Sequence, residues 1–176
     1  MAVSKYMENR CRRKMAARLL LLVCAGALLR SAEAQDPYDQ LSDSYKKGVD
    51  LALEQLNTHV GVKHHFRFLR TVGKREHDAG FGVLFLYHQF HLKPTRCAKG
   101  TTSDPRTCQF RNDRPLMDCA VCYKAVSGQI EANPDPYVHC IQKPRLTKEM
   151  MTTREDHWKK MTYATGGATI MALATG

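Results

Sequence analysis

Cysteine and histidine are the side chains with the most chemistry to offer in this chain, and their spacing decides which chemistry. Of seven cysteines, Cys11 and Cys24 sit in a basic and then leucine-rich N-terminal stretch; Cys97, Cys108, Cys119, Cys122 and Cys140 follow much later. Cys119-Ala120-Val121-Cys122 is a Cys-x-x-Cys. A zinc site would need a second such pair or a His pair, and a redox motif would need a surrounding βαβ unit; neither is present. In an oxidising compartment five cysteines give two disulfides and one leftover thiol. Of the eight histidines, His64 and His65 are neighbours that project oppositely in a strand, and His88 and His91 differ by an odd number. No Glu completes a zinc-binding helix, so surface histidines are expected rather than ligands. Cys122 as a nucleophile has no base nearby in sequence. The chain is therefore expected to be no enzyme, with no cofactor and no metal.

These residues must be placed by one modest domain, since 176 residues with 43% hydrophobic and 25% charged side chains are too few for two. The formal charge of +10 suggests nucleic acid until the N-terminus is read. Lys5, Arg10, Arg12, Arg13, Lys14 and Arg18 precede the apolar run Leu19–Leu29, and Ala32-Glu33-Ala34 supplies small residues before a cut. This is the order of a secretory signal, shorter than the ~20 residues of a membrane span. Residues 1–34 are expected to leave by cleavage between Ala34 and Gln35. That removes 7 of 27 basic and 2 of 17 acidic residues and leaves +5, so no nucleic-acid partner is expected. The remaining basic concentration, Lys93, Arg96, Lys99, Arg106, Arg111 and Arg114, would suit anionic glycans, bacterial surfaces or an acidic receptor loop, or be a solvated loop face.

Along the mature chain, Leu41, Tyr45, Val49, Ala52, Leu53, Leu56 and Val60 recur at helical spacing, with Ser42 or Asp43 as N-cap. The period then switches to two over His64–Val72. A polar turn is expected from Gly73 to Gly80, and a strand from Phe81 to Lys93 with Phe81, Val83, Phe85 and Tyr87 on one face and Leu84, Leu86, Phe90 and Leu92 on the other. Further strands are expected at Thr107–Phe110 running on to Met117–Val126 and at Tyr137–Gln142, with Pro134-Asp135-Pro136 in a loop. Residues 35–142 thus read as one α+β domain, an N-terminal helix packed on a four- to five-stranded antiparallel sheet. Residues 143–176 read as a flexible C-terminal tail, weakly helical over Arg145–Lys160. Cys119 and Cys122, three apart, face opposite sides of their strand; only one can share a face with Cys140, and parity does not say which.

Gly48-Val49-Asp50-Leu51-Ala52-Leu53-Glu54-Gln55-Leu56, the strand start Gly80-Phe81-Gly82-Val83, and Met117-Asp118-Cys119-Ala120-Val121-Cys122-Tyr123-Lys124 followed by Val138-His139-Cys140 resemble the chemerin family over about residues 41–142. Chemerins are secreted chemoattractants and adipokines of cystatin/cathelicidin-like fold. The resemblance implies the pairings Cys97–Cys108 and Cys119–Cys140; the family's further partner for Cys122 is missing here, which would make Cys122 a free thiol. It also implies an inactive precursor, trimmed near its C-terminus by trypsin-like serine proteases to activate a G-protein-coupled chemokine-like receptor, with roles in inflammation, chemotaxis and adipocyte regulation. Arg154, Lys159 and Lys160 are the sites such proteases would use. The fold allows two other roles. One is a cystatin-type inhibitor of cysteine proteases, although Thr71-Val72-Gly73 barely matches the Gln-x-Val-x-Gly hairpin and the Pro134–Pro136 loop lacks the Trp of the second. The other is a cathelicidin-like host-defence protein acting through the basic patch.

Overall fold

The computed structural model describes residues 37–101 and 104–173, with side chains as far as Tyr163; Ala34, Gln35 and the cleavage expected between them lie outside the described residues. The elements run α1 (Asp43–Thr58), β1 (His64–Gly80), β2 (Val83–Ala98), β3 (Met117–Val126), β4 (Gln129–Ile130), β5 (Tyr137–Gln142) and α2 (Lys148–Leu173), with single 3-10 turns at Pro105–Thr107 and Lys143–Arg145. All strand pairs are antiparallel: β1 on β2, β2 on β3, and both β4 and β5 on the far side of β3.

The α1 stripe forms as its spacing predicts. Tyr45, Gly48, Val49 and Ala52 are buried against the sheet, and Asp43 in the first turn complements the helix dipole. Ser42 occupies the N-cap with extended backbone but makes no side-chain cap bond, and Val60 lies past the helix end, exposed. Gly48 is where the backbone comes closest to the sheet: a Cβ there would stand 2.8 Å from Tyr123 Cε1, and the Tyr123 hydroxyl donates to the Ser44 carbonyl. Phe68, Leu86, Phe90, Leu92, Cys119, Val121 and Tyr123 complete the core beneath the helix.

The β1–β2 hairpin is longer than the sequence indicates. No turn opens at Gly73; the charged segment from Lys74 to Asp78 stays paired with Leu84–His88 of β2, and the chain reverses only at Gly80-Phe81-Gly82. All three have positive φ, of 82°, 53° and 76°, which two glycines make affordable. The strand expected from Thr107 is also corrected: the segment is a 3-10 turn followed by a single bridge from Phe110 to Thr95. Asp104 caps this turn by accepting the Arg106 N–H.

The largest correction concerns residues 143–176. Lys148–Leu173 form a helix, and its first part docks on the sheet face opposite α1, where Trp158 and Met161 pack with Phe85, Tyr87, Ala120 and Cys122 in a second core. The sheet is thus covered on both faces, and the segment from 148 to 161 is not a loose tail.

Candidate functional site

Three surfaces gather the chemistry. The first is buried. Asp118 stands on β3 among apolar neighbours and points to the α2 side of the sheet, where Arg154, fully buried, reaches it: Nη1 donates to Asp118 Oδ1 at 2.5 Å, and Nη2 donates to the Asp118 and His139 carbonyls at 3.1 and 3.2 Å. Arg154 Nε donates to His139 Nδ1 at 2.9 Å. The carboxylate also meets His91 Nε2 at 3.1 Å and accepts from Gln89 Nε2 at 3.1 Å, while Arg70 Nε donates to His91 Nδ1. Every donor of the guanidinium that faces the sheet thus has an acceptor, the condition under which a buried charge is tolerated.

Both imidazoles are held neutral. Burial depresses the His91 pKa, against the pull of Asp118, and burial together with Arg154 depresses that of His139. Across the sheet His88, fully buried between Tyr45, Phe68 and Phe90, bonds Thr71 Oγ1, and among the described residues its Nδ1 has no hydrogen-bond partner; burial and then Lys74 bring its pKa down to about 3. The expectation of surface histidines is corrected for both His88 and His91. His91 faces Asp118 because it is an odd number of residues from His88 on β2.

The structure closes Cys97–Cys108 and Cys119–Cys140. Cys119 lies directly across from Cys140 in the β3–β5 register, which settles the parity question, while Cys122 faces α2 as a buried free thiol. Burial pushes its pKa up to about 12, so it is shielded and un-ionised rather than nucleophilic. Arg154 is corrected as a protease site, because its side chain is the anchor of α2; Lys159 and Lys160 are exposed on the helix. Among the described residues no group of three His, Cys, Asp or Glu could hold a metal ion, and no helix is long and apolar enough to cross a membrane.

The second surface is the basic patch, which the structure only partly brings together. Arg111 grips Asp113 through Nε and Nη2 at 2.9 and 2.5 Å and meets His64 Nε2; this bond holds the Asp113 pKa at about 2. Arg114 Nε is 3.9 Å from the same carboxylate. Arg111, Arg114, Lys63, His64, Phe66 and Met117 line part of an open groove of about 490 Å³. Lys93 bonds Asn112 and sits over the Phe110 ring, and Lys99 reaches the His59 carbonyl. Arg96 and Arg106 are exposed, Arg106 in the 3-10 turn.

The third surface was not legible as a site: the β1–β2 tip. Phe81 is fully exposed at its apex, and the Ser127 N–H donates to the Gly82 carbonyl at 2.9 Å, setting the β3–β4 turn beside the hairpin. Ser127 and Gly128 in that turn also have positive φ, and Lys47 of α1 reaches the Gly128 carbonyl and Gln129 Oε1. Two backbone reversals and one bare aromatic therefore share one end of the sheet. The signal available in the sequence was Gly80-Phe81-Gly82, an aromatic where only turn residues were needed.

One helix ahead of a five-stranded antiparallel sheet, stapled by two disulfides, defines an α+β cystatin-like fold. No family model matches the chain, but curated relatives point the same way. The chain is 29% identical over 129 residues to a cystatin-like protein of Clarias batrachus, 70% of each chain. It is 26% identical over 127 residues to secreted phosphoprotein 24 of Sus scrofa, 72% of this chain and 62% of that protein, and 23% identical over 126 residues to the Homo sapiens protein of the same name, 72% and 59%. The chain thus spans less than two thirds of the secreted phosphoproteins it matches.

Proposed function

We propose that this is a secreted, non-catalytic, cystatin-like binding protein whose partner is engaged by the end of the sheet that carries Phe81, with a papain-type cysteine protease as the partner class to test first. The observation that carries this reading is the fully exposed Phe81 raised between two positive-φ glycines beside a second tight turn. A large aromatic left in water contributes nothing to the core, and rigid, paired hairpin ends are shaped to enter a cleft with little ordering cost. Secretion is supported by the two disulfides and by relatives named secreted. The tip departs from the inhibitor motif, since it reads Gly-Phe-Gly and the Pro134–Pro136 loop has no Trp, so selectivity would differ from that of ordinary cystatins. Titrating papain-type proteases with the secreted protein should give saturable inhibition that Phe81→Ala weakens by tenfold or more, as truncation of a central aromatic anchor does. Absence of inhibition, or full inhibition by Phe81→Ala, would reject the reading.

A second reading rests on the exposed Lys159-Lys160 pair on α2: a trypsin-like protease cutting there would free the end of the helix for a chemokine-like receptor. Such a cut would separate Met161 from the second core, so processing would couple to loosening of α2. Calcium signalling in receptor-bearing cells by trimmed but not intact protein is the expected result, and equal responses would reject it.

A further inference from the structure

The two edges of the sheet are built differently. The outer edge of β1 carries Arg67, Arg70, Lys74, Arg75, Glu76, His77 and Asp78 and is broken by four register irregularities, the devices that stop a strand from templating another. The other edge, β5, reads Tyr137-Val138-His139-Cys140-Ile141-Gln142, with no proline, no bulge and no Lys, Arg, Asp or Glu.

Register tells which backbone groups of β5 look outward. Cys119 and Cys140 are opposite one another with Cα atoms 4.1 Å apart, the spacing of a pair that does not exchange backbone hydrogen bonds. One step beyond β5 the Lys143 N–H donates to the Leu116 carbonyl, in phase with His139 and Ile141 as the residues bonded to β3. Val138, Cys140 and Gln142 therefore direct their N–H and C=O groups away from the sheet, and among the described residues no turn, loop or cap hydrogen bond ends on them.

We propose that the β5 edge is a homodimer interface, in which β5 of a second copy pairs antiparallel with it about a two-fold axis at Cys140 and extends the sheet across both molecules. The two-fold register sets Val138 of one copy opposite Gln142 of the other, so that three outward backbone positions of each strand meet three of its partner. Exposed Asp135 precedes the strand and exposed Arg145 follows it, so an antiparallel two-fold pairing brings the acidic end of one copy to the basic end of the other, twice by symmetry. The uncharged strand brings no like charges together. This interface lies on a strand edge, away from the Phe81 tip, and does not depend on the protease or receptor readings.

The test is sedimentation velocity of the full secreted chain over a concentration series. The expected result is a reversible monomer–dimer equilibrium. Val138→Pro removes an outward N–H without touching the ladder to β3 and should shift the equilibrium to monomer. Arg145→Asp and Asp135→Arg, each of which sets like charges across the axis, should raise the dimer dissociation constant by about tenfold, and combining them should restore it. If Val138→Pro fails to fold, the three charge variants decide the matter alone. A wild-type chain that is monomeric throughout, or a dimer that none of the variants weakens, overturns the proposal; in the monomeric case a strand from a different protein becomes the candidate for this edge.

Discussion

The two faces of the sheet are covered by helices that hold on in opposite ways. Under α1 the contact is apolar apart from the buried His88, from Leu41 and Tyr45 to Phe90 and Tyr123, with Cys119 of the Cys119–Cys140 disulfide inside it. Under α2 a small apolar cluster around Trp158 and Met161 adjoins a network in which one guanidinium answers one buried carboxylate. The first cover fails gradually as methylenes are removed. The second is all or none, because a buried charge without its partner is worse than no charge.

The largest effect should come from breaking that network. Arg154→Ala strands Asp118 and should lower unfolding stability by about 3–5 kcal/mol, measured by urea unfolding. Asp118→Ala combined with it should cost less than the two changes added, by roughly 0.5–3 kcal/mol; strict additivity would show that the two faces do not differ as described. On the α1 face Phe90→Ala should cost a similar ~3–5 kcal/mol, but with no such coupling to Asp118. Gly48→Ala, which drives a methyl into Tyr123, should cost about 1–3 kcal/mol.

Acid sharpens the comparison, since both faces bury neutral imidazoles. His88, His91 and His139 all have depressed pKa values in the folded chain, so the unfolded chain takes up protons first. Stability is therefore expected to be greatest above the ordinary His pKa of about 6.5 and to fall as pH drops below it. His88 goes on contributing to that fall until its folded pKa near 3. Each histidine adds at most about 1.4 kcal/mol per pH unit to the slope, and His88→Leu should remove one proton's worth from it. The smallest effect is expected at Phe81: Phe81→Ala should leave stability within about 0.5 kcal/mol and alter only binding.

The contrast also explains what could be read from sequence. Helical spacing from Leu41 to Leu56 and the alternation over Val83–Leu92 placed α1 and both faces of β2, because apolar burial writes a period into the chain. The arm from Lys74 to Asp78 reads as a turn because its side chains are exposed, although its backbone is paired along one side with β2. Parity left Cys119 and Cys122 open until the β5 register fixed the choice. The segment carrying α2 read as a solvated tail for the same reason that Arg154 read as a protease site: a charged residue counts toward solvent in any periodicity argument. The available hint was Asp118, a lone carboxylate inside Met117–Val126 that had to find a cation somewhere.

Cys122 reports directly on whether α2 is a true cover of the second face. Alkylation of the native chain at pH 8, with the site located by peptide mapping, should leave Cys122 unmodified while the unfolded protein reacts at once, and Arg154→Ala should open it. Rapid modification of Cys122 in the wild-type protein, with circular dichroism and the two disulfides intact, would contradict the docked helix and the network that holds it.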